Sequence, residues 1–168
     1  MPKTCRESVL KTGVFTGRGG TLFCFWQVAH KTADIISISI PQELPEWKTA
    51  IFQKLRKTNQ NLHFIRENSH SDNALKQLKN ILRGRKIDFL FIDGDHTYQG
   101  VKKDFTIYKE MVKKGGIIAF HDIVPSSLRE MGSIEVDLFW KEIKQNYSHK
   151  EFIAESNQDG WGIGVVYV

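Results

Sequence analysis

The chain has 168 residues, of which 40% are hydrophobic and 26% charged, an ordinary composition for a globular protein. This length fits one domain with a substantial core, so we expect a single domain over residues 1–168. The net charge of +5 favours anionic partners only weakly, and no aromatic ladder accompanies the basic residues, which argues against a nucleic-acid partner.

Strand-like and helix-like segments alternate through the first half of the chain. A strand is predicted over 8–15, followed by a glycine-rich turn at 16–21 and a helix at 22–30. The β-branched run 34–40 predicts a second strand that stops at Pro41. A helix is predicted over 45–57 with Trp47, Ile51 and Leu55 on one face, and Trp47 is interpreted as a core aromatic.

The same alternation continues to the end of the chain. Strands are predicted at 61–66 and 87–92, with a helix over 72–82 between them. A helix over 98–112 is expected to end at Gly115 and Gly116, before a strand at 117–120. A last helix over 134–146 precedes two short strands, 152–154 and 162–168, which can pair antiparallel. This order predicts an α/β fold with a doubly wound, mostly parallel sheet.

Nothing in the sequence indicates a membrane segment or a disulfide framework. Cys5 and Cys24 fit neither a zinc site nor a redox pair, so both are interpreted as reduced thiols. The first residues contain no apolar signal core, and the apolar run 22–26 is too short to span a bilayer. We therefore expect a soluble, cytoplasmic protein without a membrane partner.

The first loop, Gly13-Val-Phe-Thr-Gly-Arg-Gly-Gly20, joins a predicted strand to a predicted helix. Glycines let the backbone approach a ligand closely, and the start of a helix offers unpaired N–H groups. Tight turns also use glycine, so a purely structural role is left open. The P-loop and dinucleotide-binding spacings are absent, and the loop therefore suits a nucleoside-like ligand better than a pyrophosphate.

Two apolar strands stop abruptly at acidic and histidine side chains. These are Asp93, Asp95 and His96 after one strand, and His121 and Asp122 after the other. Ligands of open α/β sheets lie beyond the carboxyl ends of the strands, so neighbouring strands would bring these groups together. Such groups can bind a divalent cation, hold a substrate, or act as acid and base. Asp95 or Thr97 can equally be a helix cap.

The remaining histidines and tryptophans have simpler interpretations. His30, His63 and His149 fit surface or structural positions, as does His70, although His70 follows a strand at the same edge of the sheet. Trp26 and Trp140 are interpreted as core aromatics. The segment Gly160-Trp-Gly-Ile-Gly164 is interpreted as a turn into the last strand.

Four motifs give the chain a family resemblance. They are Gly13-Val-Phe-Thr-Gly-Arg-Gly-Gly-Thr-Leu-Phe23, Ile36-Ser-Ile-Ser-Ile-Pro41, Phe91-Ile-Asp-Gly-Asp-His-Thr-Tyr98 and Lys114-Gly-Gly-Ile-Ile-Ala-Phe-His-Asp-Ile123. The chain resembles class I S-adenosylmethionine-dependent methyltransferases, in the branch of cephalosporin-hydroxylase-like and sugar O-methyltransferase-like proteins. The resemblance implies a Rossmann-like, seven-stranded sheet with an antiparallel last strand, helices on both faces, and adjacent first and fourth strands.

The resemblance also implies roles for individual residues. The cofactor S-adenosylmethionine would contact Gly13, Phe15, Gly17, Gly19, Gly20, Ser39, Ser69 and Asp93. A divalent cation, Mg²⁺ or Mn²⁺, would bind Asp93, His121 and Asp122. His96 or His121 would act as the catalytic base. The partner would be a small-molecule acceptor, and a homo-oligomer is compatible with the sequence.

The chain departs from the family pattern at three points. Lys11 lies two positions before the first loop glycine, where the family has an acidic residue. Ser39 takes the place of the aspartate that holds the ribose hydroxyls. The sequence is also expected to lack most of the usual N-terminal helical segment. These departures affect activity more than fold.

The leading hypothesis is a methyltransferase that transfers a methyl group to an oxygen of a sugar or another hydroxylated metabolite, assisted by a divalent cation. Two alternatives stay open. One is a non-catalytic binding or assembly protein on the same fold, favoured by Lys11 and Ser39. The other is a metal-dependent hydrolase that uses the acidic cluster without a methyl donor.

Overall fold

A computed structural model describes residues 8–12, 20–57, 59–127 and 134–168. Its strands are β1 (Ser8–Thr12), β2 (Asp34–Ile38), β3 (Asn61–Ile65), β4 (Ile87–Ile92), β5 (Val112–His121), β6 (Ser148–Phe152) and β7 (Ile163–Tyr167). Its helices are α1 (Gly20–Val28), α2 (Glu46–Leu55), α3 (Asp72–Leu82), α4 (Tyr98–Tyr108) and α5 (Val136–Ile143). Short 3₁₀ turns, Lys109–Met111 and Lys144–Asn146, extend α4 and α5.

The strands form one seven-stranded sheet in the order β3-β2-β1-β4-β5-β7-β6. Neighbouring strands from β3 to β5 pair in parallel, whereas β7 runs antiparallel to both β5 and β6. The predicted α/β class is confirmed. The first and fourth strands are adjacent, as the resemblance implied, and the last two strands do pair antiparallel.

Strand β5 begins earlier than the sequence predicted. Val112 already pairs with Ile87, and the β4–β5 register then shifts between Ile87 and Phe89. The two glycines that were expected to end a helix lie inside the strand, where Gly115 has a φ of 77°. A Cβ at Gly116 would lie 2.6 Å from Cγ1 of Val112, so the glycine is needed for close packing at the irregularity.

The two faces of the sheet are covered unequally. Ile36 and Ile38 of β2 belong to a large buried cluster with α3, α4 and α5, whereas Ile35 belongs to a smaller cluster with α1 and α2. This division follows from the alternation of side chains along a strand.

The outer face of α2 is exposed. Trp47 is 64% exposed, and Ile51 and Leu55 are exposed beside it. The interpretation of Trp47 as a core aromatic is therefore wrong, while Trp26 and Trp140 are buried as expected. The helical spacing identified the apolar face correctly, but no described element packs over it. In the described part of the chain, no helix is long and apolar enough to cross a membrane.

Candidate active site

The carboxyl ends of β4 and β5 meet at one edge of the sheet. The two strands are parallel and in register at this end, where Ile92 lies opposite Phe120. The residues that follow, Asp93 and His121, therefore emerge at the same level. This placement is what the two apolar runs predicted.

Two histidines and two aspartates form a compact cluster at this edge. Nδ1 of His96 lies 2.8 Å from Oδ2 of Asp122, and its Nε2 lies 3.3 Å from Oδ1 of Asp93. Nδ1 of His121 lies 3.0 Å from Oδ1 of Asp122 and 3.5 Å from Oδ1 of Asp93. His96 thus bridges the two carboxylates, and His121 lies against both. All four side chains are mostly buried.

Contacts within the cluster shift the pKa values of His96 and Asp122. Burial alone would lower the pKa of His96, but its hydrogen bonds to Asp122 and Asp93 outweigh burial and raise that pKa to about 9. Burial opposes ionisation of Asp122, yet contacts with His121 and His96 hold the pKa of this carboxyl well below its usual range. At neutral pH His96 is therefore a cation between two carboxylates.

A capped turn fixes His96 between β4 and α4. Thr97 is the N-cap of α4, and its hydroxyl accepts a hydrogen bond from the N–H of Gly100 (3.0 Å). Oδ1 of Asp95 accepts hydrogen bonds from the N–H and the hydroxyl of Thr97. The N–H of Glu135 donates to the carbonyl of His96 (2.8 Å). The cap interpretation is confirmed for Thr97, and Asp95 supports the capping residue.

A cleft of about 260 Å³ lies beside the cluster, over the ends of β2, β3 and β4. It is lined by Ser39, Ile40, Glu67, Asn68, Ser69, His70 and Asp95. The structure thus brings two predicted cofactor-binding residues, Ser39 and Ser69, into one cleft. Hydroxyl, amide and carboxylate groups of this kind suit the hydroxyls and ring nitrogens of a nucleoside.

A buried polar pair supports the floor of this cleft. Nε2 of His70 lies 3.2 Å from Oδ1 of Asp104, whose side chain is fully buried in α4. The contact with Asp104 raises the pKa of His70. The hydroxyl of Tyr108 donates to the carbonyl of Ser69 and holds the segment after β3 in place. His70 also lines the cleft. The sequence indicated only that His70 follows a strand at this edge of the sheet.

Part of the predicted cofactor site lies outside the described residues. These positions are Gly13, Phe15, Gly17 and Gly19. Gly20 begins α1, and Lys11 lies in β1 with its Cα opposite those of Ser37 and Phe91. The role of the glycine loop stays a prediction.

The donor atoms do not fit the predicted cation. His96 already lies between the carboxylates of Asp93 and Asp122, where Mg²⁺ or Mn²⁺ would have to bind. Across residues 8–12, 20–57, 59–127 and 134–168, no group of three or more His, Cys, Asp or Glu side chains is arranged to hold a metal ion. The metal assignment to Asp93, His121 and Asp122 is therefore unsupported by this geometry and stays a prediction.

Sequence reasoning missed several residues of the site. Glu67 and Asn68 follow β3 at the same edge, so the strand-end rule that found Asp93 would also have found them. The strand-end rule could not have found Glu135 and Trp161, because only the tertiary structure places them beside His96 and His121.

Comparison with known proteins identifies a related family. A family model described as a methyltransferase domain matches residues 10–123. An uncharacterised protein of Acanthamoeba polyphaga mimivirus is 44% identical over 62 residues, which cover 37% of this chain and 27% of that protein. The chain therefore aligns with only about a quarter of the length of this relative.

Solved methyltransferase structures share the fold. The CurJ carbon methyltransferase superimposes with a TM-score of 0.66 at 10% identity, over 99% of this chain and 50% of that one. The O-methyltransferase TomG from Streptomyces achromogenes, in complex with S-adenosylmethionine, gives 0.65 at 12% identity, over 96% and 73%. An O-methyltransferase from Bacillus cereus gives 0.63 at 15%, over 96% and 74%. Identities this low show a common fold alone.

Proposed function

Since the chain belongs to the methyltransferase-domain family, we propose that it transfers a methyl group from S-adenosylmethionine to a hydroxyl oxygen of a small acceptor. The observation that carries the proposal is the cluster of His96, His121, Asp93 and Asp122, which adjoins a nucleoside-sized cleft at the same sheet edge. S-adenosylmethionine, when bound, supplies an electrophilic methyl group. The residues of this chain must then position the acceptor oxygen and receive its proton.

His121 is the better candidate for the catalytic base. His96 is protonated at neutral pH and hydrogen-bonded through both ring nitrogens, so it cannot readily accept a proton. Nδ1 of His121 faces the carboxylate of Asp122, which favours the tautomer with its proton on Nδ1. Nε2 is then left to take the proton of the acceptor hydroxyl as the oxygen attacks the methyl carbon.

The cleft is assigned to the nucleoside part of the cofactor. Ser39 and Ser69 supply hydroxyl groups, and the carboxylate of Glu67 lies at the end of the neighbouring strand. Asp93 contacts His121, and Asp95, two residues further on, lines the cleft. We therefore assign the methyl group to the boundary of the two regions. No step is assigned to a metal ion.

Cofactor binding is tested with a pair of matched variants. Asn68 is exposed at the cleft, and Asn80 is exposed at a second cleft lined by Asp34 and His63. Asn68→Trp should fill the first cleft and abolish the binding of S-adenosylhomocysteine measured by calorimetry, while Asn80→Trp should bind like the wild type. No heat of binding to wild-type protein at about 1 mM ligand would contradict the proposal.

A methyl-transfer assay separates a catalyst from a binding protein. Wild-type protein should transfer a radiolabelled methyl group from S-adenosylmethionine to a panel of small alcohols. His121→Asn should slow this transfer by roughly 10²–10⁴-fold, the usual contribution of a general base, and should leave S-adenosylhomocysteine affinity unchanged. Tight cofactor binding without transfer to any alcohol would instead favour the non-catalytic alternative.

A further inference from the structure

Trp161 lies at the same edge of the sheet, in the loop that leads into β7. Its side chain is 67% exposed. The indole meets the ring of His121 edge-on, with centroids 5.8 Å apart and planes at 85°. Burying a tryptophan normally stabilises a protein, so an indole this exposed contributes little to the fold.

The backbone of this loop is unusual. Gly160, Trp161 and Gly162 all have positive φ, of 82°, 64° and 80°. Left-handed conformations disfavour residues with a side chain, so a glycine at the central position would form this turn more easily. A strained, exposed aromatic beside catalytic groups is typical of a residue retained for function.

Backbone hydrogen bonds hold the loop against the residues that end and follow β5. The N–H groups of Asp122 and Val124 donate to the carbonyls of Gly162 and Trp161, both at 3.0 Å, and the N–H of Gly160 donates to the carbonyl of Pro125 at 2.9 Å. A Cβ at Gly162 would lie 2.9 Å from Cγ2 of Val124, so the two segments pack without space between them. The backbone of Trp161 is therefore held beside the end of β5 before any ligand binds.

We propose that Trp161 forms a wall of the acceptor site and that the acceptor is a cyclic, hydroxylated molecule whose ring face stacks on the indole. This inference rests on the proposed function, because Trp161 contacts His121, the proposed base, and is not among the residues that line the nucleoside cleft. A ring stacked on the indole directs its in-plane hydroxyl groups outward, and the His121 ring, whose centroid lies 5.8 Å from that of the indole, is close enough to receive one. An acyclic polyol has no flat face, so it would not stack on the indole of Trp161.

The ring of the acceptor can be an aromatic ring or a sugar ring, and binding of three compounds distinguishes these two possibilities. Methyl β-D-glucopyranoside, catechol and the acyclic polyol sorbitol are titrated into protein saturated with S-adenosylhomocysteine. The readout is the indole N–H resonance of Trp161 in NMR spectra, assigned by its absence in Trp161→Phe. The indole resonance of Trp47 serves as the control, since Trp47 is similarly exposed (64%) but lies on α2.

The expected result is a shift of the Trp161 resonance with at least one ring compound, no shift with sorbitol, and no shift of the Trp47 resonance. Trp161→Ala should weaken binding of that compound about tenfold, Trp161→Phe should retain it within about threefold, and Trp47→Ala should match the wild type.

Two results would overturn the inference and leave the proposed function intact. In the first, S-adenosylhomocysteine binds but neither ring compound moves the Trp161 resonance. In the second, Trp161→Ala changes only the elution volume of the protein, which would make Trp161 a protein-interface residue. A protein that fails to bind S-adenosylhomocysteine at all would instead contradict the proposed function.

Discussion

His96 couples the stability of the protein to pH through its position between two carboxylates. The pKa of His96 is raised from 6.5 to about 9, so the folded state holds a proton that the unfolded chain releases at lower pH. The stabilisation is fully present below pH 6.5 and is lost as pH rises through about 9, and it amounts to roughly 3 kcal/mol. His70, whose pKa is raised beside Asp104, adds an effect of the same sign.

Urea unfolding at pH 6, 7.5 and 9 should therefore show a falling free energy of unfolding. His96→Gln should remove most of this dependence and should lower stability at pH 6, because it leaves Asp93 and Asp122 without their cation. His30→Gln is the control, since His30 is exposed and its ring Nδ1 hydrogen-bonds with the hydroxyl of its neighbour Thr32. Equal slopes in wild type and His96→Gln would show that His96 is not the group that titrates.

The start of α4 fits tightly against the turn that carries Asp95. A Cβ added at Gly100 would lie 2.1 Å from Cγ of Asp95. In an ordinary helix, exchanging glycine for alanine stabilises by about 1 kcal/mol. Here we expect Gly100→Ala to destabilise by about 1–3 kcal/mol, because the side chain of Asp95 must move.

The displaced Asp95 lines the cleft, so Gly100→Ala should also weaken S-adenosylhomocysteine binding. Gln99→Ala is the matched control, because Gln99 is the adjacent helix residue and is exposed. Thermal melts and calorimetry on both variants check the two effects. A Gly100→Ala protein as stable as the wild type would mean that the turn accommodates a methyl group.

The elements that the sequence predicted best carry their own start and stop signals. Helix α3 begins after Ser71, whose hydroxyl accepts from the N–H of Ala74 (3.0 Å), and ends at Arg83 in the left-handed conformation. The bounds predicted for α3 and β4 agree with the structure. The start of β5 was missed because Gly115 and Gly116 fit a helix end and a strand irregularity equally well.

The candidate site was predictable where it depends on strand ends alone. Asp93 and His121 follow apolar runs, and parallel pairing brings such ends together. The bridging position of His96 was not predictable, because it depends on side-chain geometry. The metal site at Asp93, His121 and Asp122 stays a prediction, since two aspartates and a histidine give the same sequence signal whether a cation or an imidazolium lies between them.

For the molecule as a whole, the unequal covering of the sheet should produce unequal local stability. Helix α3 is capped at both ends and contributes Ala74, Leu78 and Leu82 to the larger core cluster. Helix α2 contributes Phe52 to the smaller cluster and has no side-chain hydrogen bond at its N-cap, Pro45. Regions with fewer buried contacts open more often.

Hydrogen exchange followed by mass spectrometry should therefore show α2 amides exchanging at least about tenfold faster than α3 amides at neutral pH. The two helices have similar lengths, 10 and 11 residues, which makes them a fair comparison within one protein. Equal protection would indicate that the exposed face of α2 is covered in solution.

The shift in register at the start of β5 lies at the opposite end of the strands from Asp93 and His121. A Cβ added at Gly115 would meet nothing within 4 Å, and the pairing is regular from Phe89 to Ile92, beyond the shift in register. A peptide fused at this edge, or chain termini relocated to it by circular permutation, should therefore leave Asp93 and His121 aligned. One residue inserted after Phe89 would instead turn Asp93 to the other face of the sheet.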